Sequence, residues 1–240
     1  MPPLAYRRAL ARRLTVLTGG LGSGKSEFAI VWAGRLAVAG RGPVLLADLD
    51  EFKPRFRSEE AERALHGMGV RLRLAPPSSG DAPAVPGEVI AALEAGQSWM
   101  VLDAGAEATG TRVLRDLRPH LEGREHNLLY VLNTRRPHGA DPDWVRSQLS
   151  RVEAETGLPV NGLVASPHVM GETTSTVVAE GLAVARQVAS RTGVPLLGVM
   201  VLLSLAERLT IPDDLELFPL YRMLRPRAID EEHELVSVSG

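Results

Sequence analysis

One octapeptide, Gly19-Gly20-Leu21-Gly22-Ser23-Gly24-Lys25-Ser26, constrains this chain more than any other feature. It matches G-x-x-x-x-G-K-[ST] in full, after a short apolar run (Leu14–Leu17) and before a helical pattern (Ser26–Ala39). Glycines let successive backbone N–H groups turn inward and approach an oxyanion with no Cβ in the way. A helix starting near Lys25 adds the partial positive charge of its N-terminus. Lys25 is then placed to bridge the outer phosphates of a nucleoside triphosphate, and the Ser26 hydroxyl to ligate Mg²⁺. The expected nucleotide contacts are Gly20, Leu21, Gly22, Ser23, Gly24, Lys25, Ser26 and Glu27, with Lys25 also serving catalysis.

Strand and helix patterns alternate on either side of this junction. Apolar strands are expected at Pro43–Asp50, Val70–Leu74, Ser98–Gly105, Asn127–Asn133, Val160–Ala165 and Val194–Leu203. Helical patterns cover Ser58–His66, Glu88–Glu94, Thr111–Leu121, Pro142–Thr156 and Thr174–Arg191, and Ala75–Gly87 reads as a loop. This order predicts an α/β fold: a doubly wound, mainly parallel sheet of about seven strands with helices on both faces. The 240 residues, 45% of them hydrophobic, suffice for one domain over 1–240, with a less regular C-terminal arm from about 205. In that arm Leu215, Leu217, Phe218, Leu220 and Tyr221 are expected to pack on the core, since Pro219 and Pro226 interrupt a membrane-binding helix.

Composition narrows the function classes. A net charge of -2 gives no global basic field, so no nucleic-acid partner is expected. The absence of cysteine excludes disulfides, thiolate metal sites and a cysteine nucleophile on this chain. No apolar run is long enough to span a bilayer, and the N-terminal stretch does not read as a signal peptide, so the expected location is cytoplasmic.

Two strand ends carry acids: Asp48 and Asp50 in "LADLD", and Asp103 in "VLDAG". Parallel strands deliver their C-terminal ends to the ligand edge of a sheet, where these carboxylates would face the Mg²⁺-phosphate group. Gly105 gives the backbone after Asp103 freedom to swing, as a switch loop needs. The glycine loop, the strand ending "DLD" and the strand ending "LDAG" resemble the MinD/ParA/CobQ group of P-loop ATPases. Their wider class includes signal-recognition GTPases, nitrogenase iron protein and dethiobiotin synthetase. The string "DLDEFKPRFRSEEAE" is similar to MinD-like proteins described only as nucleotide-binding. The resemblance implies that Asp50 orients the attacking water. It also implies that Asp48 and Asp103, with Ser26, hold the Mg²⁺ shell. "TGGLG" lacks the early lysine that reaches across an ATP-sandwich dimer, so any homodimer is expected through another surface.

The resemblance also bears on the base. The guanine-reading motif N-K-x-D is met here by Asn133-Thr134-Arg135-Arg136, which keeps the asparagine but lacks the lysine and the acid. ATP/ADP is therefore favoured over GTP. Asn133 reads equally as a base contact or a strand-end cap, and Ser166 and Pro167 stand where relatives contact adenine with an asparagine. Arg55 and Arg57 read either as grips on an anionic substrate or as partners of Glu59 and Glu60. His168, Glu172 and Thr173 read as a loop leading to a helix cap or as a second polar site. The function expected is slow ATP hydrolysis as a switch on a protein partner. Alternatives are a small-molecule enzyme in the style of dethiobiotin synthetase or cobyrinic acid amide synthase, and a nucleotide-bound structural subunit.

Overall fold

A computed structural model describes residues 12–50, 59–75, 85–105, 107–169 and 172–220. Apolar runs become strands and helical patterns become the connections between them. The strands are β1 (Leu14–Thr18), β2 (Val44–Asp48), β3 (Val70–Leu74), β4 (Trp99–Asp103), β5 (His126–Leu132), β6 (Gly162–Ala165), β7 (Leu196–Leu202) and β8 (Glu216–Leu220). The helices are α1 (Lys25–Val38), α2 (Glu59–Gly67), α3 (Gly87–Ala95), α4 (Glu107–Leu121), α5 (Pro142–Thr156), α6 (Ser175–Thr192) and the short α7 (Leu203–Ala206).

The eight strands form one sheet in the order β3-β2-β4-β1-β5-β6-β7-β8, every pair parallel. This is the doubly wound α/β architecture with helices on both faces. Alternate strand residues face opposite layers. Leu128, Tyr130 and Leu132 join a core with α3, α4, α5 and α6, while Leu129 and Val131 join a second core beneath α1 and α2. Nearly continuous apolar strands such as LTVLT and WMVLD follow from burial on both faces.

Helix ends obey their local chemistry. Asp141 accepts from the Asp143 and Trp144 amides ahead of Pro142, and α5 stops at Gly157 with a left-handed φ of 69°. Thr174 caps α6 by accepting from Val177 N, as the loop-plus-cap reading of that stretch expects.

The C-terminal arm is more regular than expected. Glu216–Leu220 pairs in parallel with β7 as an eighth strand, from Gly198↔Glu216 to Leu202↔Leu220. Its proline hides it in the sequence. Pro219 is tolerated because β8 is an edge strand, where one side of the backbone needs no partner. The stretch expected to be a loop at Ala75–Gly87 lies largely outside the described residues, as do Arg55, Arg57, Ser58 and everything after Leu220.

Candidate functional site

The strand order fixes where a ligand can sit. From β1 the chain crosses to β2 on one side, while β4 connects across β1 to β5 on the other. Connections that part in opposite directions leave a crevice at the C-terminal ends of the strands between them. The glycine loop follows β1 directly into that crevice.

The loop meets its helix at Gly24, which adopts φ 93° at the N-cap of α1. A side chain there would also crowd Ser166, whose Oγ lies 2.8 Å from where a Cβ would stand. Only glycine meets both demands without strain. Lys25 opens the helix at 7% exposure and forms no ion pair among the described residues. Holding an ammonium there is costly unless an anion compensates it. Leu21, at the tip of the loop, is exposed, and Glu27 lies in the first turn of α1. Ser23 contributes a second feature: its hydroxyl is buried without a hydrogen-bond partner, beside Gly19.

Beside the loop stand the acids. Asp48 and Asp103 are register partners across β2 and β4, and each is 1% exposed. The Ser26 hydroxyl donates to Asp103 Oδ2 at 2.7 Å, and the Gly105 amide donates to Asp103 Oδ1 at 3.2 Å. One carboxylate therefore ties the start of α1 to the turn after β4. The turn after β2 joins the same network through Leu49 N to Asp103 O at 2.9 Å and Asp50 N to Asp48 Oδ1 at 3.1 Å. Asp50 is half-buried, its carboxyl carbon 3.5 Å from the Cβ direction of Gly105. Hydroxyl and carboxylate oxygens converging at a helix N-terminus form a hard-donor set that suits Mg²⁺.

On the other flank, Asn133 is engaged at both ends of its carboxamide. Its Nδ2 reaches Gly22 O at 3.5 Å and His168 O at 3.3 Å, and its Oδ1 accepts from Arg135 N at 2.9 Å. These bonds fasten the loops after β5 and β6 to the glycine loop. Ser166 and Pro167 are buried where β6 ends, and the Ser166 hydroxyl has no partner. Thr173 Oγ1 accepts from Val169 N and closes the turn before the α6 cap.

Two contributors escaped the sequence reading. Tyr130 stands on β5 and lines a cleft with Gly19 and Gly20 at the start of the loop. Burial pushes its pKa up to about 12 and outweighs the opposing pull of the Gly20 backbone amide. Arg136 lies against Gly22, with Nε donating to Gly22 O at 3.4 Å. Neither contact is local in sequence, so no motif announces it.

A parallel doubly wound sheet with this loop, lysine, serine and paired acids defines the P-loop nucleoside-triphosphatase fold. Solved structures of FtsY share it. FtsY from Thermotoga maritima, described as a cell division protein, superposes with a TM-score of 0.52 at 18% identity, over 78% of this chain and 61% of that one. Chloroplast FtsY from Physcomitrella patens gives 0.54 at 18% identity, over 79% and 58%. The signal recognition particle receptor FtsY from Elizabethkingia anophelis, in complex with GDP, gives 0.50 at 17% identity, over 78% and 56%. The chain thus covers about three-fifths of the length of these neighbours. No protein-family model matches it, and no curated protein matches it in sequence.

Proposed function

We propose that this chain binds Mg²⁺-ATP at the glycine loop, hydrolyses it slowly, and uses the two nucleotide states as a switch on a protein partner. The observation that carries this reading is the union of Lys25, Ser26 and Asp103 at one helix N-terminus within the crevice. Loop amides and Lys25 would hold the phosphates. Ser26, Asp48 and Asp103 would hold Mg²⁺, which when bound neutralises phosphate charge and orients the outer phosphoryl group. Asp50 is the candidate to orient water, since it flanks the metal-side acids without joining α1.

The switch reading rests on the Asp103 carboxylate, which bonds Ser26 and the Gly105 amide together. A change at Ser26 is felt by the turn after β4, and Gly105, at φ 81°, can re-form that turn freely. Adenine is favoured over guanine because no carboxylate follows Asn133 to accept from the guanine edge. The GDP-bound neighbour keeps GTP as the competing base choice. MinD-like ATPases remain the narrower family that the motif sequence resembles.

A second reading has an observation of its own. A cleft lined by Tyr130, Trp144, Gln148 and Arg151 opens beside Gly19 and Gly20. It offers a place for a small substrate activated by ATP. ADP release stimulated by a small carboxylic acid favours that enzyme, and release stimulated by a protein favours the switch.

The test of the site is Lys25→Ala. A charge-assisted phosphate contact contributes about 1.5–3 kcal/mol, so ATP affinity should fall about ten- to a hundredfold. Isothermal titration with Mg²⁺ and ATP, ADP, GTP or GDP measures both this loss and the base preference. A folded variant that binds ATP as tightly as wild type refutes the site, and GTP binding as tight as ATP refutes the adenine preference.

A further inference from the structure

We propose that a cavity at the N-terminal edge of the sheet, remote from the glycine loop, binds a small organic monocarboxylate with an apolar body, as a medium-chain fatty acid has. Because all strands are parallel, this edge lies at the opposite end of β1 and β4 from the loop and Asp103. The inference does not depend on the nucleotide reading. The cavity has a volume of about 260 Å³. Its floor is Leu14, Met100 and Leu93. Leu14 and Met100 are register partners at the starts of β1 and β4, and Leu93 belongs to the last turn of α3. All three are buried.

Over this floor two exposed arginines arrive from different segments. Arg13, just before β1, donates through Nη1 to Gly96 O at 3.2 Å. Arg124, just before β5, donates through Nη1 to Leu93 O at 2.7 Å. These bonds fix both guanidiniums at the end of α3, where the last carbonyls of a helix lack partners of their own. Capping that end does not exhaust them. A helix C-terminus carries about half a negative charge, whereas two guanidiniums bring two full positive charges. Each has five N–H donors and gives one to these carbonyls. Neither forms an ion pair among the described residues.

The surroundings are of the same sign. Arg12, Arg41 and Arg71 stand at the same edge, at the starts of β1, β2 and β3. The sequence before Arg12, MPPLAYRRALA, adds Arg7 and Arg8 and no acid. Ser98 lines the cavity, accepts from Arg71 Nη2 at 3.1 Å and keeps its own proton to donate. Of the acids close by, Glu94 faces His120 at 3.2 Å, and Glu125 stands on the cavity wall.

Floor and rim suit different parts of one ligand. The floor favours methylene groups, and the rim favours one negative charge. A guanidinium meets a carboxylate with two parallel N–H···O bonds. A phosphate dianion fits less well, because it would face an apolar floor, a helix C-terminus and the Glu125 carboxylate. A neutral hydrocarbon leaves the arginine donors without a charged partner. The volume lies just under the usual range for drug-sized ligands, about 300–1,000 Å³, which limits the body to a short chain or a single ring.

The experiment is calorimetric titration of the 240-residue chain with octanoate, with butanoate, octanol and inorganic phosphate as comparisons. Each methylene added from butanoate to octanoate should tighten binding by up to about fourfold, the transfer effect of a buried CH₂. Arg13→Gln and Arg124→Gln should each weaken octanoate about tenfold, the scale of one charge-assisted hydrogen bond, and leave octanol unchanged. Thermal melts verify that the variants fold. On wild type, octanoate should also shift the methyl resonance of Met100 in methyl-labelled protein, identified by its loss in Met100→Leu. That readout stands even where losing the α3 cap unfolds an arginine variant. Octanol binding as tight as octanoate, phosphate binding tighter than octanoate, or no octanoate binding at millimolar concentration overturns the ligand class. Unchanged octanoate affinity in both folded arginine variants, or a Met100 methyl that does not move on binding, overturns the site.

Discussion

Asp50 and Asp48 stand two residues apart in different surroundings. Asp48 is buried beside Asp103 and accepts from the Asp50 amide, whereas the Asp50 side chain lies half-buried near Gly105. If Asp50 orients water, its carboxylate matters to the reacting geometry more than to the bound nucleotide. Asp50→Ala should keep ATP affinity within a few fold, because Lys25, Ser26 and the loop amides still hold the phosphates. Its hydrolysis should fall by about a hundredfold or more, the scale of a lost positioned acid–base group. Asp48→Ala and Asp103→Ala should instead raise the Mg²⁺ concentration needed for binding. Parallel binding and single-turnover measurements on the three variants separate the roles; unchanged turnover in Asp50→Ala removes it from catalysis. The residues behind these expectations were legible because their chemistry dictates their spacing. Lys25 and Ser26 must follow the last glycine, and Asp103 must end a strand. The placement of Arg136 and Tyr130 beside the loop was not legible, because Gly22 and Gly20 lie more than a hundred positions away from them.

Among the elements, β3 and α5 match their expected bounds residue for residue, and the strands buried on both sides come close. Apolar runs with turn signals at each end gave β1, β2, β4 and β5 to within one or two residues, because a central parallel strand admits little but aliphatic side chains. The eighth strand is short and carries a proline, so its pattern did not separate it from a packed arm. Its packing shows why it forms. Phe218 meets Phe28 edge-on at 4.8 Å and Trp32 at 5.8 Å, and is fully buried. Arg35 lies 5.0 Å over the same ring, donates to Leu217 O at 2.9 Å and pairs with Glu216 at 3.0 Å. These contacts fasten β8 to α1, the helix whose first turn carries Lys25 and Ser26. Phe218→Ala should therefore cost about 3–5 kcal/mol, the usual penalty for emptying a buried aromatic site. A urea unfolding curve measures it, and a loss under about 1 kcal/mol would mean that β8 does not hold α1.

For the molecule as a whole, the strand order places the glycine loop, the acids and the turns after β5 and β6 at one edge of the sheet, and Tyr130 connects that edge to the global stability. Tyr130 is 4% exposed and lines the cleft beside Gly19 and Gly20, at the first turn of the loop. Burial disfavours the phenolate, so the folded pKa rises from 10.0 to about 12. Below pH 10 the neutral phenol is present in folded and unfolded chains alike, and its full contribution to stability remains. Between pH 10 and pH 12 the unfolded chain has released this proton while the folded chain still holds it. Stability must then fall as pH rises, with a slope of up to about 1.4 kcal/mol per pH unit from this one group. Lysines and arginines titrate in the same range, so the difference between wild type and Tyr130→Phe isolates the effect. The variant should show a shallower loss of stability above pH 10 in urea titrations at each pH. The chain has three tyrosines, and phenolate absorbance of the folded wild type should contain a late component that the variant lacks. Identical alkaline slopes, or a late component that survives in Tyr130→Phe, would place the perturbed phenol elsewhere.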